Sequence, residues 1–264
     1  MSDLTHDADV WLQLVNNGAV ECNDGNRVWA GQFDDWASAA AEAGGGSNPF
    51  GLSSWLTRQG KLALEARRDP SLTLLSQRPT VLPFALAGLS RPSVLDFGGG
   101  SGWVFERATS GGLVFSKYTV AEVAAVIKAF GAGARPPLDF VPLDGTFGHY
   151  DVVYSNSSIQ YAQSNELLVR AIAESEPNMV LIDELLWSPL DIDWFTVQVN
   201  SDVPTVVRFV STQILAEQMH TLGYRLVHAG AICPIAHGYP FPDMASFGKD
   251  RRIRHRLSML FQIA

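Results

Sequence analysis

From Ser93 onward, short apolar runs alternate with polar or glycine turns and with helical patterns. The runs are SVLDF (93–97), KYTVAEV (117–123), LDFVPL (138–143), YDVVYSN (150–156), NMVLIDEL (178–185), YRLVHAGAI (224–232) and LSMLFQI (257–263). Segments with helical periodicity lie between most of them, among them VAAVIKAFGA, NELLVRAIAES and TQILAEQMHTLG. This alternation predicts an α/β fold, a doubly wound, mostly parallel seven-stranded sheet. No helical pattern separates the last two strands, so the final strand is expected to pair antiparallel.

Residues 1–90 have a different rhythm. WAGQFDDWASAAAEA (29–43) places aromatic and alanine positions at helical spacing and stops at three glycines. WLTRQGKLALEARRD (55–69) reads as a second helix closed by Pro70, and LTLLSQRPTVLPFALAGL (72–89) as a third, broken by two prolines. No strand of useful length is visible. The expectation is a helical N-terminal cap over residues 1–90 and a Rossmann-like domain over 91–264.

Composition narrows the function classes. Hydrophobic residues make up 47% and charged ones 17%, the balance of a chain that buries a core. The formal net charge of -8 argues against a nucleic-acid partner, which needs a basic surface. Two cysteines, Cys22 and Cys233, form neither a disulfide framework nor a metal-ligand spacing, so no metal is expected. The start, MSDLTHDADVW, lacks the basic and apolar segments of a signal peptide, and no uncharged run reaches the length of a membrane span. A cytoplasmic protein without a membrane partner is the expectation.

The chemistry concentrates in SVLDFGGGSGW. The dinucleotide pattern G-x-G-x-x-G fails there, because its third position is Trp103 from Gly98 or Phe105 from Gly100. The spacing that fits is Asp96-x-Gly98-x-Gly100-x-Gly102. A carboxylate two residues before the first glycine would repel a pyrophosphate, but it suits a ligand with an amine and no phosphate. S-adenosylmethionine has an ammonium, a sulfonium and a ribose diol. Glu122, twenty residues after Gly102 and at the end of the second strand run, can accept hydrogen bonds from both ribose hydroxyls. Plainer roles exist for each: a helix cap for Asp96, a tight turn for the glycines, a helix-dipole acid for Glu122. The combination favours the cofactor.

VLDFGGGSG, YTVAEV, YDVVYSNSSIQYA and MVLIDEL resemble successive motifs of the class I S-adenosylmethionine-dependent methyltransferases. More narrowly, they resemble a bacterial methyltransferase family with an LDFGG first motif and an SSLQY-like fourth motif. WAGQFDDWASA, RRD (67–69) and FTVQVN (195–200) also resemble that family's pattern. That family tends to carry Asp-Arg-Thr-Pro after the fifth strand, where this chain has Asp183-Glu184-Leu185-Leu186, a departure that points to a different substrate.

The resemblance implies further roles. Asp144 would lie on the adenine side, or simply form an Asp-Gly turn. Ser155 and Asn156 would approach the methionine end of the cofactor. Gln160 and Tyr161 would face the acceptor, with Tyr161, Glu184 and His237 as the catalytic candidates. Adjacent strand residues point to opposite faces, so Asp183 and Glu184 cannot both face the substrate, and one is expected to be solvated. Trp29 and Trp36 would roof the acceptor pocket. The implied activity is methyl transfer to an oxygen or nitrogen of a small molecule of sugar or natural-product type. The alternative is a non-catalytic binding or scaffold subunit of the same fold. A homodimer remains open. So does an acidic carrier docking on the basic run KDRRIRHR, with Lys249 and Arg256 at its ends; the plainer reading of that run is a solvated edge.

Overall fold

The strands come together in two sheets. In the computed structural model, which describes residues 28–45, 50, 53–69, 80–199, 203–232, 244 and 246–264, the larger sheet holds all seven strand runs. In chain order they are β2 (Ser93–Phe97), β3 (Lys117–Glu122), β4 (Leu138–Pro142), β5 (Val152–Asn156), β6 (Met179–Leu185), β10 (Tyr224–Ile232) and β11 (Arg256–Ile263). Their spatial order is β10-β11-β6-β5-β2-β3-β4. The pairs β2–β3, β3–β4, β2–β5 and β5–β6 are parallel, and β11 runs antiparallel to both β6 and β10. The expected architecture, last strand included, is the observed one.

Both faces of this sheet are covered, which is why its central strands read as nearly unbroken apolar runs. Val94, Val120, Val152 and Leu181 pack on one side with Val104, Phe105 and Ala108 of α4 (Trp103–Ser110). Leu95, Val153, Val180 and Ile182 pack on the other, with Leu168 and Ile172 of α6 (Glu166–Ser175) and Leu215 and Met219 of α7 (Thr212–Thr221). Because β2 has β3 on one flank and β5 on the other, the strand order reverses there. A crevice opens at the carboxyl ends of strands at such a point.

The N-terminal part departs from expectation. Val28–Phe33, predicted helical, is a strand, β1; the helix α1 starts only at Trp36 and ends at Glu42, capped by Asp35 whose carboxylate accepts from the Ser38 N–H at 2.8 Å. The reason is long-range: β1 pairs antiparallel with β8 (Trp194–Val199), matching Trp29 to Gln198 and Ala30 to Val197. With β9 (Pro204–Ser211) and the short β7 (Trp187–Ser188) these form a four-stranded sheet, β1-β8-β9-β7. Every residue of β8 and β9 is buried, so no alternation of polar and apolar positions announces them. The second helix, α2 (Ser53–Arg68), is as expected, whereas of 72–89 only α3 (Leu82–Leu86) is a described helix and 72–79 lie outside the described residues.

Three of the small sheet's strands, β7, β8 and β9, lie in the chain between β6 and α7, beyond the carboxyl end of β6. Arg208 of β9 fastens the small sheet to the large one. Its guanidinium, 1% exposed, donates to the Ile159 carbonyl at 3.1 Å and to the Asn165 side chain at 2.5 Å, both just beyond β5. The same group pairs with Asp193 at 3.0 Å.

Candidate functional site

The glycine turn between β2 and α4 is built on left-handed backbone. Gly98, Gly100 and Gly102 have φ of 73°, 62° and 74°, in the left-handed region that L side chains avoid. What fills the missing Cβ positions differs. At Gly98 a Cβ would fall 2.5 Å from Ser158 Cβ, so this glycine is required by packing rather than by open ligand space. At Gly99, whose need the sequence reading missed, a Cβ would run into the Asp96 carboxylate. At Gly100 it would meet Gln59 Oε1 at 2.8 Å, with Trp55 Cη2 at 3.9 Å, so α2 lies directly above the turn.

Two acids flank the turn. Asp96 is fully buried; one carboxylate oxygen accepts from the Tyr118 hydroxyl at 2.7 Å and the other has no partner. Burial pushes its pKa up to about 7, the Tyr118 bond offsets part of this, and the Glu122 charge adds a little. Glu122 ends β3, as expected. Its two oxygens accept from the Gly100 N–H at 3.0 Å and the Val123 N–H at 2.8 Å, each with an acceptor site to spare. Burial raises its pKa and the two backbone bonds partly offset it.

Asp144 lies in an exposed turn closed by the Gly145 N–H to Pro142 carbonyl bond of 3.0 Å. At the end of β5, Ser155 bonds Ser158 through their hydroxyls at 2.6 Å, and the Asn156 amide donates to the Tyr154 hydroxyl at 2.9 Å. Just beyond, Gln160 is buried and donates to the Ser157 hydroxyl at 2.9 Å. The Tyr161 hydroxyl donates to Gln198 Oε1 at 3.2 Å, and its ring meets Phe50 edge-on at 5.1 Å. Phe50 in turn meets Trp55 at 5.2 Å, so aromatic contacts run from above Gly100 to the small sheet.

The β6 acids behave differently from the expectation that one would be solvated. Asp183 is 0% exposed and Glu184 6%. Asp183 accepts from Thr80 at 2.5 Å and from Ser258, and burial raises its pKa. Glu184 has a left-handed backbone, φ 52°, and its buried carboxylate pairs with Arg256 at 2.6 Å. Strict alternation does not apply to a residue in that conformation.

Trp29 is fully buried in the core of the small sheet, packed with Trp194, Phe209 and Phe247; Tyr161 packs against the same cluster. Trp36 is half-buried and meets Phe195 edge-on at 6.0 Å, in the separate cluster around α1. The structure therefore brings Trp29, Tyr161 and Gln160 to one region and places Trp36 elsewhere. His237 lies outside the described residues. Of the basic run, Arg251 pairs with Asp34 at 2.7 Å, Arg252 donates to the Phe247 carbonyl at 2.8 Å and Arg256 holds Glu184, so much of it is used internally.

No family model matches the chain, and no curated protein matches it in sequence. Solved structures do match it. A chain of the complex between the Haloferax volcanii Trm112 methyltransferase activator and its methyltransferase superimposes with TM-score 0.50 at 16% identity, covering 83% of this chain and 99% of that one. Burkholderia thailandensis 1,6-didemethyltoxoflavin-N1-methyltransferase, solved with 1,6-didemethyltoxoflavin and S-adenosylhomocysteine, gives 0.50 at 16% identity over 92% and 98%. The fold is that of the class I S-adenosylmethionine-dependent methyltransferases.

Within the methyltransferase fold, sequence reasoning missed Gln59 and Gln198, and read Arg256 only as the end of a basic run. Gln59 sits one turn beyond Trp55 on α2, and its buried Oε1 over Gly100 is unpaired. A local signal existed for it, a polar residue among the apolar positions of the predicted helix. None existed for Gln198, whose place depends on pairing across 169 positions with Trp29.

Proposed function

We propose that the protein is an S-adenosylmethionine-dependent methyltransferase that methylates an oxygen or nitrogen of a small molecule. The observation that carries this reading is Glu122: a buried carboxylate at the carboxyl end of β3, tied to the Gly100 N–H of a left-handed glycine turn. The residues present fit the cofactor. Glu122 has acceptor capacity for a ribose diol and Asp96 has an unpaired oxygen for an ammonium, on either side of the left-handed glycine turn. Gln59 supplies a further unpaired acceptor from above. Asp144 would stand at the adenine end and Ser155 and Asn156 at the methionine end.

When bound, the cofactor supplies a methyl group already activated on a sulfonium. The chain's own work is alignment and exclusion of water, which can contribute about 7–11 kcal/mol. The small sheet and α2 cover the crevice, and the Phe50–Trp55–Tyr161 aromatic contacts line the path between them. Tyr161 and Gln160 face the acceptor in this reading. Glu184 acts as a positioning residue, because its carboxylate is committed to Arg256 and would have to give up that pair to take a proton. Support for a small-molecule acceptor comes from the toxoflavin-precursor enzyme, whose fold covers 92% of this chain.

The test is calorimetric titration with S-adenosylhomocysteine. Wild-type protein should bind it, and Glu122→Ala should weaken binding by about 1–3 kcal/mol, the cost of a lost charge-assisted bond at a buried group. Equal affinity in the two proteins would remove Glu122 from the ribose and the reading with it.

A further inference from the structure

Buried polar atoms are nearly always paired, and each exception calls for a reason. Among the described residues, and leaving arginine nitrogens aside, the buried side-chain atoms without a partner belong to six residues: Gln59, Asp96, Gln160, Trp29, Trp194 and Gln198. The first two flank the glycine turn, where the proposed cofactor explains them. The remaining four are on the acceptor side, and the cofactor does not explain them.

Trp29, Trp194 and Gln198 share one face of the small sheet. Trp29 and Gln198 are directly opposite on β1 and β8, and Trp194 lies four residues before Gln198 on the same strand. Phe209 joins the two indoles, stacked on Trp194 at 4.0 Å and edge-on to Trp29 at 5.8 Å. Tyr161 connects this face to the glycine turn, since its hydroxyl bonds Gln198 and its ring meets Phe50. Of the other polar side chains of the same sheet, Thr196 donates to the Gly31 carbonyl at 2.8 Å, Ser188 accepts from the Leu190 N–H at 3.1 Å, and Arg208 leaves only its Nε unpaired.

An indole nitrogen is a donor only, so two of these groups ask for an acceptor. Gln198 leaves one amide atom unpaired whichever way its amide is turned, because Tyr161 occupies the other. We infer that this face is the oxygen-reading part of the acceptor site: Trp29, Trp194 and Gln198 donate to carbonyl-type oxygens of a flat, ring-bearing acceptor. Gln160 Oε1, buried beside Tyr161, takes an N–H or O–H of the same molecule. Met244 and Phe247, which pack on the two indoles, are the side chains that move aside for it. The inference rests on the methyltransferase reading and narrows its substrate to rings bearing carbonyl groups.

The test compares quinazoline-2,4-dione with quinazoline, matched rings with and without carbonyls, by calorimetry or ligand-observed NMR in the presence of S-adenosylhomocysteine. A site built to hydrogen-bond an oxygen should prefer the dione by about tenfold or more. Gln198→Leu should reduce that preference several-fold while shifting the thermal midpoint of the free protein only slightly, since it removes an unpaired amide atom together with the Tyr161 hydrogen bond. Trp29→Phe should reduce it as well and guards against misfolding of the first variant. Equal affinity for the two rings, a preference that survives both substitutions, or no binding of either at about 1 mM overturns the subsite. If S-adenosylhomocysteine binds in those same experiments, the methyltransferase reading stands without it; if it does not bind, both fall.

Discussion

The two halves of the crevice are assembled in opposite ways. On the glycine-turn side, Asp96, Gly98, Gly100 and Glu122 lie within a 27-residue stretch, and Glu122 takes two backbone N–H groups from its immediate surroundings. On the small-sheet side, Tyr161, Gln198, Trp29 and Arg208 come from distant parts of the chain, and the Trp29 and Trp194 indoles are left unpaired. The first half is a local motif that needs little beyond its own strand and turn. The second is a composite surface that exists only once β1 has crossed to β8. In the proposed reading, binding of the cofactor belongs to the local half and choice of acceptor to the composite half.

Substitutions can separate the two. The largest effect is expected from Gly98→Val, which forces a β-branched residue to φ 73° and into Ser158. It should cost about 3 kcal/mol or more in urea unfolding, because strain and overlap add. Folding unchanged with cofactor binding abolished would instead mean that the turn is open for ligand. Next comes Arg208→Ala, which leaves Asp193 and the Ile159 carbonyl without their partner and should destabilise by about 3 kcal/mol. If the halves are independent, S-adenosylhomocysteine affinity in the folded fraction should stay within a few-fold of wild type. A parallel collapse of affinity would show that the small sheet shapes the cofactor site too.

A pH titration probes the local half alone. Asp96 has a folded-state pKa raised from 3.8 to about 7, chiefly by burial. Between those values the folded protein holds a proton that the unfolded chain has lost, so this group lowers stability as pH rises through that window and has no further effect above it. An ammonium ligand needs the ionised form. Affinity for S-adenosylhomocysteine should therefore fall with pH below about 7, by up to about tenfold per unit, with proton release seen in buffers of different ionisation enthalpy. Asp96→Asn should flatten the profile, and a wild-type profile already flat from pH 5 to 8 would detach Asp96 from the ammonium. The smallest effect belongs to the composite half. Tyr161→Phe removes one hydrogen bond to Gln198, about 1 kcal/mol, and should leave cofactor affinity intact while lowering turnover of an acceptor.

The same contrast explains what the sequence could reveal. The seven strands of the large sheet are legible because each is a short apolar run bounded by turns, and their bounds differ from the runs by a residue or two. Asp96 and Glu122 are legible because acid, glycines and strand ends share one local spacing. β1 was hidden by a stretch whose aromatic and alanine positions fit a helix equally well until Gln198 pairs with Trp29. The burial of Glu184 was not legible because its partner Arg256 lies seventy-two residues away and its backbone is left-handed. Gly98 looked like ligand space, and only the packed structure shows Ser158 there.

A crystal structure with S-adenosylhomocysteine tests the central claim most directly. The account predicts the ribose hydroxyls on Glu122, the ammonium within hydrogen-bond reach of Asp96, and the sulfur directed at Tyr161 and the small sheet. A ligand whose ribose is held elsewhere, or whose sulfur points away from β8, would contradict it.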